Sequence, residues 1–539
     1  KSFPVVAHTP EADPYVPEGL LAIAARPGVV LAPNRKYAFV VTRDVGLEAG
    51  GAPSAPAALA ALARGETPAG EKGAALGALY EPLWPALDAA GIARADVVGA
   101  TVFTTGDVVA ETAAQGDKVL ATTKVTLSDF ALEPDPGDTH PAFCHVLAKV
   151  TLPQFQRGAP IFDTEGLFEL GPDGAPRKQR DEVVPVSISV PRAPMPAGGF
   201  PLVLSRHGSG GVAREHVDGG EKLDPEARWP SSVMAPLGFA MAGAALPVSP
   251  DRVPSAGAFD YLNLDNVIAM RDTFRQGVIE SRLLVGALAE ARIDPAVVAG
   301  CAGLSLPAGE THVRFSLERL SIQGQSMGGM YANLLGAVEP RVEAAVPTGA
   351  GGYWMYFILE TTKIPAGAAL LSLVLKSGAG LSFLHPAMHL AETALEAVDP
   401  MVSAPRLARR PLPGHPTRAI YEPVGLDDSY FPPPIYDAMS LAYGHPRAGP
   451  AVGRSMREAH ELVGLDRVAS FPIEKNLISE GGTPYTGAVL QYAIPGFDGH
   501  QIYRRVPEVM HQFGCFHATH RRTGSAVIVP PAPLGTPCP

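Results

Sequence analysis

Charged residues are scarce in this chain. They make up 18% of its 539 residues, whereas hydrophobic residues make up 46%. A chain of this composition has enough apolar side chains for a large core, which excludes global disorder. No long run of Lys and Arg occurs, and 43 basic against 54 acidic residues give a net charge of −11. We therefore expect no nucleic-acid partner.

Long hydrophobic runs are also missing. The longest one near a plausible membrane span, Ile364–Leu375, is bounded by Lys363 and Lys376. It is shorter than the roughly 20 residues that cross a bilayer, so we expect a soluble protein with no integral membrane segment. The chain begins at Lys1 without a basic-then-apolar signal region. That beginning fits a mature secreted chain or one trimmed at its start.

Cysteine is rare, and its four copies are Cys144, Cys301, Cys515 and Cys538. An even number of cysteines permits two disulfides in an exported protein, and four cysteines allow three pairings. Four buried thiols are the alternative. Disulfides form and persist in oxidising compartments, so we favour two disulfides and a secreted or cell-envelope location.

The pattern of hydrophobic residues changes along the chain and divides it in two. Residues 1–150 read as strands with one helical stretch, Ala74–Ala90, and we expect a small β-rich accessory domain there. From about residue 180, short apolar runs alternate with longer helical stretches. Such alternation predicts an α/β fold with a mostly parallel sheet and flanking helices, here a catalytic domain over residues 151–539.

Residues 353–416 interrupt this alternation with aromatic and apolar helical stretches. We interpret the insert as a helical cap whose Tyr353, Trp354 and Phe357 line a substrate pocket. An additional helical layer that only packs on the core is the alternative.

One short motif carries the strongest chemical signal: Gly324-Gln325-Ser326-Met327-Gly328 has the form G-x-S-x-G. A plausible strand precedes it and a plausible helix follows it, which is the context that a nucleophilic serine on a sharp turn requires. Small residues must flank the serine because the strand and the helix approach each other closely at this turn. We therefore predict that Ser326 is the nucleophile.

A glycine-rich loop earlier in the chain is the expected partner of this turn. His207-Gly208-Ser209-Gly210-Gly211 follows the predicted strand Phe200–Ser205. Acyl transfer needs two backbone N–H groups aimed at the oxyanion, and glycines let a backbone approach closely. We assign one donor to Met327 and the other to Ser209, with Gly208 next, and expect His207 to be structural.

A serine hydroxyl also needs a base, and the base needs an orienting carboxylate. Asp428 follows the predicted strand Arg418–Val424 and is our acid, with Asp427 second. His500 follows the predicted strand Ala488–Ile494 and is our general base. The nearby histidines His511, His517 and His520 compete with it, but they belong to the next helix. With Cys515 they match no standard zinc spacing, so we expect no metal.

Together these motifs resemble the α/β-hydrolase superfamily over about residues 180–525. The residues that carry the resemblance are His207-Gly208, the Gly324–Gly329 turn, Gly425-x-x-Asp428 and Asp498-Gly499-His500. More narrowly, the chain looks like large bacterial esterases and lipases with an immunoglobulin-like N-terminal domain. That comparison is prompted by Pro33-Asn34-x-x-Tyr37, Thr101–Asp107 and Asp265-Asn266…Arg271-Asp272…Gln276.

The resemblance implies a serine carboxylic-ester hydrolase that works without a cofactor through an acyl-enzyme. The apolar insert favours hydrophobic or bulky ester substrates, polymeric esters included. A serine peptidase or amidase of the same fold is the first alternative. A non-catalytic binding module on a hydrolase scaffold is the second.

Overall fold

The computed structural model describes residues 2–46, 50–51, 53–220, 227–263, 266–364, 367–377, 381–449 and 453–539. The strands are β1 (Val5–His8), β2 (Ala22–Ala25), β3 (Lys36–Thr42), β4 (Val97–Thr104), β5 (Leu127–Leu132), β6 (Phe143–Gln154), β7 (Arg180–Pro191), β8 (Phe200–Arg206), β9 (Ala240–Ala244), β10 (Phe315–Gln325), β11 (Val342–Thr348), β12 (Ala419–Gly425), β13 (Arg447–Ala448), β14 (Leu477–Ile478), β15 (Pro484–Tyr485) and β16 (Gly487–Tyr492).

The α-helices are α1 (Ala57–Ala63), α2 (Gly73–Tyr80), α3 (Leu83–Ala89), α4 (Val108–Thr122), α5 (Glu215–Asp218), α6 (Pro230–Met234), α7 (Val267–Glu290), α8 (Met327–Val338), α9 (Trp354–Glu360), α10 (Gly367–Leu375), α11 (Pro386–Leu395), α12 (Pro400–Leu407), α13 (Pro433–Tyr443), α14 (Arg454–Val463), α15 (Ile502–Arg505) and α16 (Pro507–Thr523).

A mixed, mostly parallel sheet organises the larger part of the chain. Its strand order is β13-β16-β12-β11-β10-β8-β9-β7-β6-β5. The strands from β13 to β9 run parallel, whereas β7, β6 and β5 add antiparallel pairs at one edge. This order, with helices between parallel neighbours, is that of the α/β-hydrolase fold, and the predicted fold class is confirmed.

Two apolar layers cover the two faces of this sheet. Leu202 and Leu204 of β8 belong to the core cluster that contains Phe274 of α7, whereas Val203 belongs to the cluster that contains Phe513 of α16. Successive side chains of a strand point to opposite faces, which explains the alternation. Since helices cover both faces, apolar side chains on both faces of the central strands are buried.

Residues 31–107 form a separate compact unit. Its strands β3 and β4 pair antiparallel, and helices α1 to α3 supply much of its core, which includes Leu59, Leu62, Leu83, Trp84 and Leu87. The helix expected over 74–90 is two helices, because Pro82 lacks the N–H that a continuous helix needs. The immunoglobulin-like domain is not shown, since β3 and β4 are the strands described in this unit.

The division of the chain differs from the one expected at residue 150. The other compact unit comprises residues 1–30 and 108–539. Strand β6 pairs with β7 along its whole length, and β5 pairs with β6, so both extend the large sheet. Sequence pattern identifies such strands but not the distant partner that each one pairs with.

Two disulfides join Cys144 to Cys301 and Cys515 to Cys538, which confirms the expectation of two bridges and selects one of the three pairings. In the ranges given above, no helix is both long enough and apolar enough to cross a bilayer.

Three of the residues that prompted the narrower resemblance hold the long helix α7 in place. Asn266 Nδ2 donates to the carbonyl of Phe162 at 2.9 Å, and Gln276 Oε1 accepts from the N–H of Phe155 at 3.0 Å. Asp272 is buried and accepts from the N–H of Phe168. Asp265 lies outside the described residues.

A buried charge cluster gives the first testable prediction. Arg252 contacts Glu182 and Glu280, and both Arg252 and Glu280 have side chains only 5% exposed. Arg252→Met leaves these carboxylates without their shared cation, so we expect the free energy of unfolding to fall by about 3–5 kcal/mol. Urea unfolding measures it. Arg454→Met is the control, because its ion pair with Glu458 is exposed and contributes about 0–1 kcal/mol. Equal effects of the two substitutions would contradict this account.

Candidate active site

Ser326 lies on a strained turn between β10 and α8. Its backbone has φ 56° and ψ −127°, a conformation that costs free energy in a residue with a Cβ. A Cβ on Gly324 would overlap the carbonyl oxygen of Gly328, and one on Gly328 would overlap that of Arg206. Both glycines of the motif are therefore required by the backbone packing around the serine, as the sequence predicts.

Asp428 and His500 meet in the protein interior. His500 Nδ1–H donates to Asp428 Oδ2 at 2.9 Å, and both side chains are almost fully buried. Asp428 Oδ1 also accepts from the N–H groups of Tyr430 and Phe431, at 2.7 and 2.9 Å, and Oδ2 accepts from the hydroxyl of Tyr436. With Nδ1 taken, Nε2 is the ring nitrogen available to a nucleophile.

The structure distinguishes between the two candidate acids. Asp427 is exposed, and its backbone is left-handed with φ 57°, while its carbonyl accepts from the N–H of Gly499 at 3.3 Å. This turn directs the side chain of Asp428, and not that of Asp427, onto His500. The sequence could not separate two adjacent aspartates because both follow the same strand.

His500 and Ser326 share neighbours at the carboxyl ends of β10 and β11. Gln325 Nε2 donates to the carbonyl of His500 at 3.0 Å, and the N–H of Ser326 donates to the carbonyl of Thr348 at 3.0 Å. A Cβ on Gly349 would lie 3.4 Å from His500 Nδ1. In the described part of the chain these contacts, and not a direct hydrogen bond, relate the two residues.

Asp498 joins the loop of Asp428 to the loop of His500. Its Oδ1 accepts from the N–H groups of Ser429 and His500, at 3.1 and 3.0 Å, and its Oδ2 accepts from the Ser429 hydroxyl at 2.6 Å. Burial opposes ionisation of this carboxyl, but the hydrogen bonds from Ser429 and from the His500 backbone hold its pKa below the ordinary value. Asp498 was part of the sequence motif, although its function as a bridge was not predicted.

The glycine-rich loop approaches Ser326 as expected. A Cβ on Gly208 would lie 3.5 Å from Ser326 Cβ. The N–H of Gly208 already donates to Glu215 Oε1 at 2.9 Å, and the Ser209 hydroxyl donates to the carbonyl of Ala258. Met327 is the first residue of α8, where a helix leaves backbone N–H groups without an intrahelical acceptor.

His207 has the structural position that the sequence analysis gives it. Its Nδ1–H donates to the carbonyl of Gly208 at 2.8 Å, and its Nε2 accepts from the N–H of Leu246 at 2.9 Å. Both ring nitrogens thus bind the backbone, which fixes the glycine-rich loop.

Aromatic rings surround the imidazole, and the sequence analysis missed them. The ring of Tyr430 stacks on His500 with centroids 4.2 Å apart, and that of Phe431 lies at 5.7 Å. Lys363 Nζ lies 5.0 Å from the centre of the Tyr430 ring. The signal was present, because Tyr430 and Phe431 lie two and three residues after Asp428 in the sequence.

The three aromatic residues expected to line a pocket lie in the core instead. Tyr353, Trp354 and Phe357 are 7%, 0% and 1% exposed. Trp354 Nε1 donates to the carbonyl of Val398 at 3.1 Å, and Phe357 packs on Phe431 with ring centroids 5.1 Å apart. The expected pocket lining is corrected: helix α9 packs on α10, α11 and α13, and the ring of Trp354 lies 5.1 Å from that of Phe274 in α7, so the aromatic face of α9 is covered.

The competing histidines of α16 face other partners. His520 contacts Ser321 and Glu343, and burial lowers the pKa of His517 to about 3. His511 contacts Cys515, whose sulfur is bonded to Cys538 and cannot serve as a thiolate ligand. Among the described residues, no group of three or more His, Cys, Asp or Glu side chains is arranged to hold a metal ion.

No protein-family model matches this chain, and no curated protein matches it. Among solved structures it is similar to acetyl xylan esterase 1 from Thermoanaerobacterium, at 13% identity and a TM-score of 0.35, over 67% of this chain and 94% of that one. It is also similar to an acetyl xylan esterase from Paenibacillus, at 15% identity and a TM-score of 0.38, over 66% of this chain and 92% of that one. A glucuronoyl esterase from Teredinibacter turnerae matches at 14% identity and a TM-score of 0.36, over 74% of this chain and 78% of that one.

The glycines of the turn supply a second prediction. We expect Gly328→Ala to lower the free energy of unfolding by about 1–3 kcal/mol, because its Cβ meets backbone that no side-chain rotation can move. Gly286→Ala in α7 is the matched control. Its Cβ has only Arg341 Nη1, at 3.9 Å, within reach, so the lower backbone entropy of alanine stabilises by about 0.5–1 kcal/mol. Chemical unfolding of both variants checks the difference, and a stable Gly328→Ala protein would refute it.

Proposed function

We propose that this chain is a serine hydrolase of carboxylic esters. The observation that carries the proposal is the buried Asp428–His500 hydrogen bond beside the strained turn of Ser326. A hydroxyl on such a turn, with a carboxylate-oriented imidazole at the same edge of a parallel sheet, is the arrangement needed for acyl transfer.

In the proposed reaction, His500 Nε2 takes the proton of Ser326 while Oγ attacks the ester carbonyl. Asp428 holds Nδ1–H and stabilises the imidazolium that forms. The imidazolium then protonates the leaving alcohol, which leaves an acyl-enzyme on Ser326. Water, deprotonated by the same nitrogen, releases the acid and restores the hydroxyl.

The oxyanion would accept hydrogen bonds from the N–H groups of Met327 and Ser209. Gly208 is the weaker candidate, because its N–H is engaged by Glu215. The hydrogen bond from the Ser209 hydroxyl to the carbonyl of Ala258 would fix the direction of the Ser209 N–H. A single donor of this kind contributes about 2.7–4 kcal/mol to transition-state stabilisation.

The surroundings of His500 favour a neutral, hydrophobic or bulky ester. The ring of Tyr430, which stacks on His500, lies 6.2 Å from the ring of Phe259, so aromatic groups border the imidazole. Several aspartates lie at this edge, which disfavours an anionic substrate. The two disulfides support a secreted or cell-envelope location, because such bonds persist in oxidising compartments.

Activity on paired substrates tests the proposal against its alternatives. We expect hydrolysis of p-nitrophenyl esters of graded acyl length, faster than that of the corresponding p-nitroanilides. Ser326→Ala should lower kcat at least about 10⁴-fold. Faster anilide cleavage would favour an amidase or peptidase. Equally slow ester hydrolysis by the wild type and the variant would favour the alternative that the chain is a non-catalytic binding module.

The adjacent aspartates provide an internal comparison. Asp428→Asn should lower kcat about 10⁴-fold, because an amide there stabilises the wrong tautomer of His500. Asp427→Asn alters an exposed side chain and should change kcat less than about threefold, since only solvated charge is lost. Steady-state kinetics on one ester decides, and the reverse ranking would transfer the function of the acid to Asp427.

A further inference from the structure

A cleft of about 700 Å³ lies between α6, α16 and the C-terminal segment 534–538, which the Cys515–Cys538 disulfide holds to α16. This volume is within the range of small-molecule sites. Its lining includes the apolar Val233, Leu237 and Met510, the cationic Arg228 and Arg505, and the imidazole of His511. None of the lining residues belongs to the turn of Ser326 or to the loops of Asp428 and His500.

Charge distinguishes this cleft from the rest of the molecule. The protein as a whole carries a net charge of −11. Two guanidinium groups and an imidazole line the cleft, and among its described lining residues there is no carboxylate. The N–H of Arg228 donates to the carbonyl of Arg504 at 2.9 Å, so the backbone of Arg228 lies beside the residue that precedes Arg505.

His511 adds a buried polar group that faces the cleft. It is 5% exposed, and in the described part of the chain its ring nitrogens contact only the disulfide sulfur of Cys515, at 3.7 and 3.9 Å. A disulfide sulfur is a weak acceptor and donates nothing. An imidazole N–H in this position is available to an acceptor on a ligand.

We propose that this cleft binds an amphipathic monocarboxylate. The carboxylate contacts Arg228, Arg505 and the N–H of His511, and the hydrocarbon part lies along Val233, Leu237 and Met510. Guanidinium groups bind carboxylates through paired hydrogen bonds, and the apolar wall excludes water from the hydrocarbon part of the ligand. The site is separate from the proposed hydrolase site and does not rest on it.

Calorimetric titration of the full chain with octanoate tests the proposal, and 1-octanol is the uncharged probe of equal length. We expect one molecule of octanoate to bind with a Kd of about 0.1–1 mM, and 1-octanol to bind at least about tenfold more weakly. Arg228→Gln and His511→Leu should each weaken octanoate binding about tenfold. Arg228 is exposed, so its variant remains informative even if His511→Leu does not fold.

The control variant is Arg454→Gln, which removes an exposed guanidinium outside the cleft and should leave octanoate affinity unchanged. The absence of saturable binding would overturn the proposal. So would equal affinity for 1-octanol, which would mean a merely apolar cleft. Octanoate binding that neither cleft variant weakens would also overturn it, because the ligand would then occupy another site.

Discussion

The hydrogen bond between Asp428 and His500 is the interaction on which the rest of the candidate site depends. Four donors converge on the Asp428 carboxylate, from two backbone N–H groups, the Tyr436 hydroxyl and the His500 ring. These four donors fix the orientation of the carboxylate, and the carboxylate in turn fixes the tautomer of the imidazole. A serine hydroxyl is a weak nucleophile unless a ring nitrogen held in this way can take its proton.

The fold supplies this hydrogen bond from distant parts of the chain. Strands β10, β12 and β16 run parallel, so Ser326, Asp428 and His500 follow them at the same edge of the sheet. Asp498 connects the loops of Asp428 and His500 to each other. The glycines around Ser326 allow the turn to approach the neighbouring backbone closely, because they have no Cβ. This close approach depends on backbone sterics.

The sequence predicts those features that local chemistry determines. The turn of Ser326 is recognisable because two glycines and a strand–helix transition lie within a few residues of each other. The acid stays ambiguous because the choice between Asp427 and Asp428 depends on a left-handed backbone at Asp427. The buried aromatic residues of α9 resemble a pocket lining in sequence, since an apolar face gives the same pattern whether a ligand or another helix covers it.

Long-range strand pairing explains why the observed division of the chain differs from the one expected at residue 150. The strands β5 and β6 read as part of an N-terminal domain, but their antiparallel partners lie in the large sheet. Hydrophobic alternation defines a strand and its buried face; it does not define which distant strand donates the hydrogen bonds.

Covalent labelling with a fluorophosphonate probe, followed by peptide mass spectrometry, tests the central claim most directly. The account predicts a single adduct on Ser326 in the wild type, and strongly reduced labelling in His500→Ala and Asp428→Asn. An adduct on another residue would contradict it, as would labelling of Ser326 at the wild-type rate in both variants.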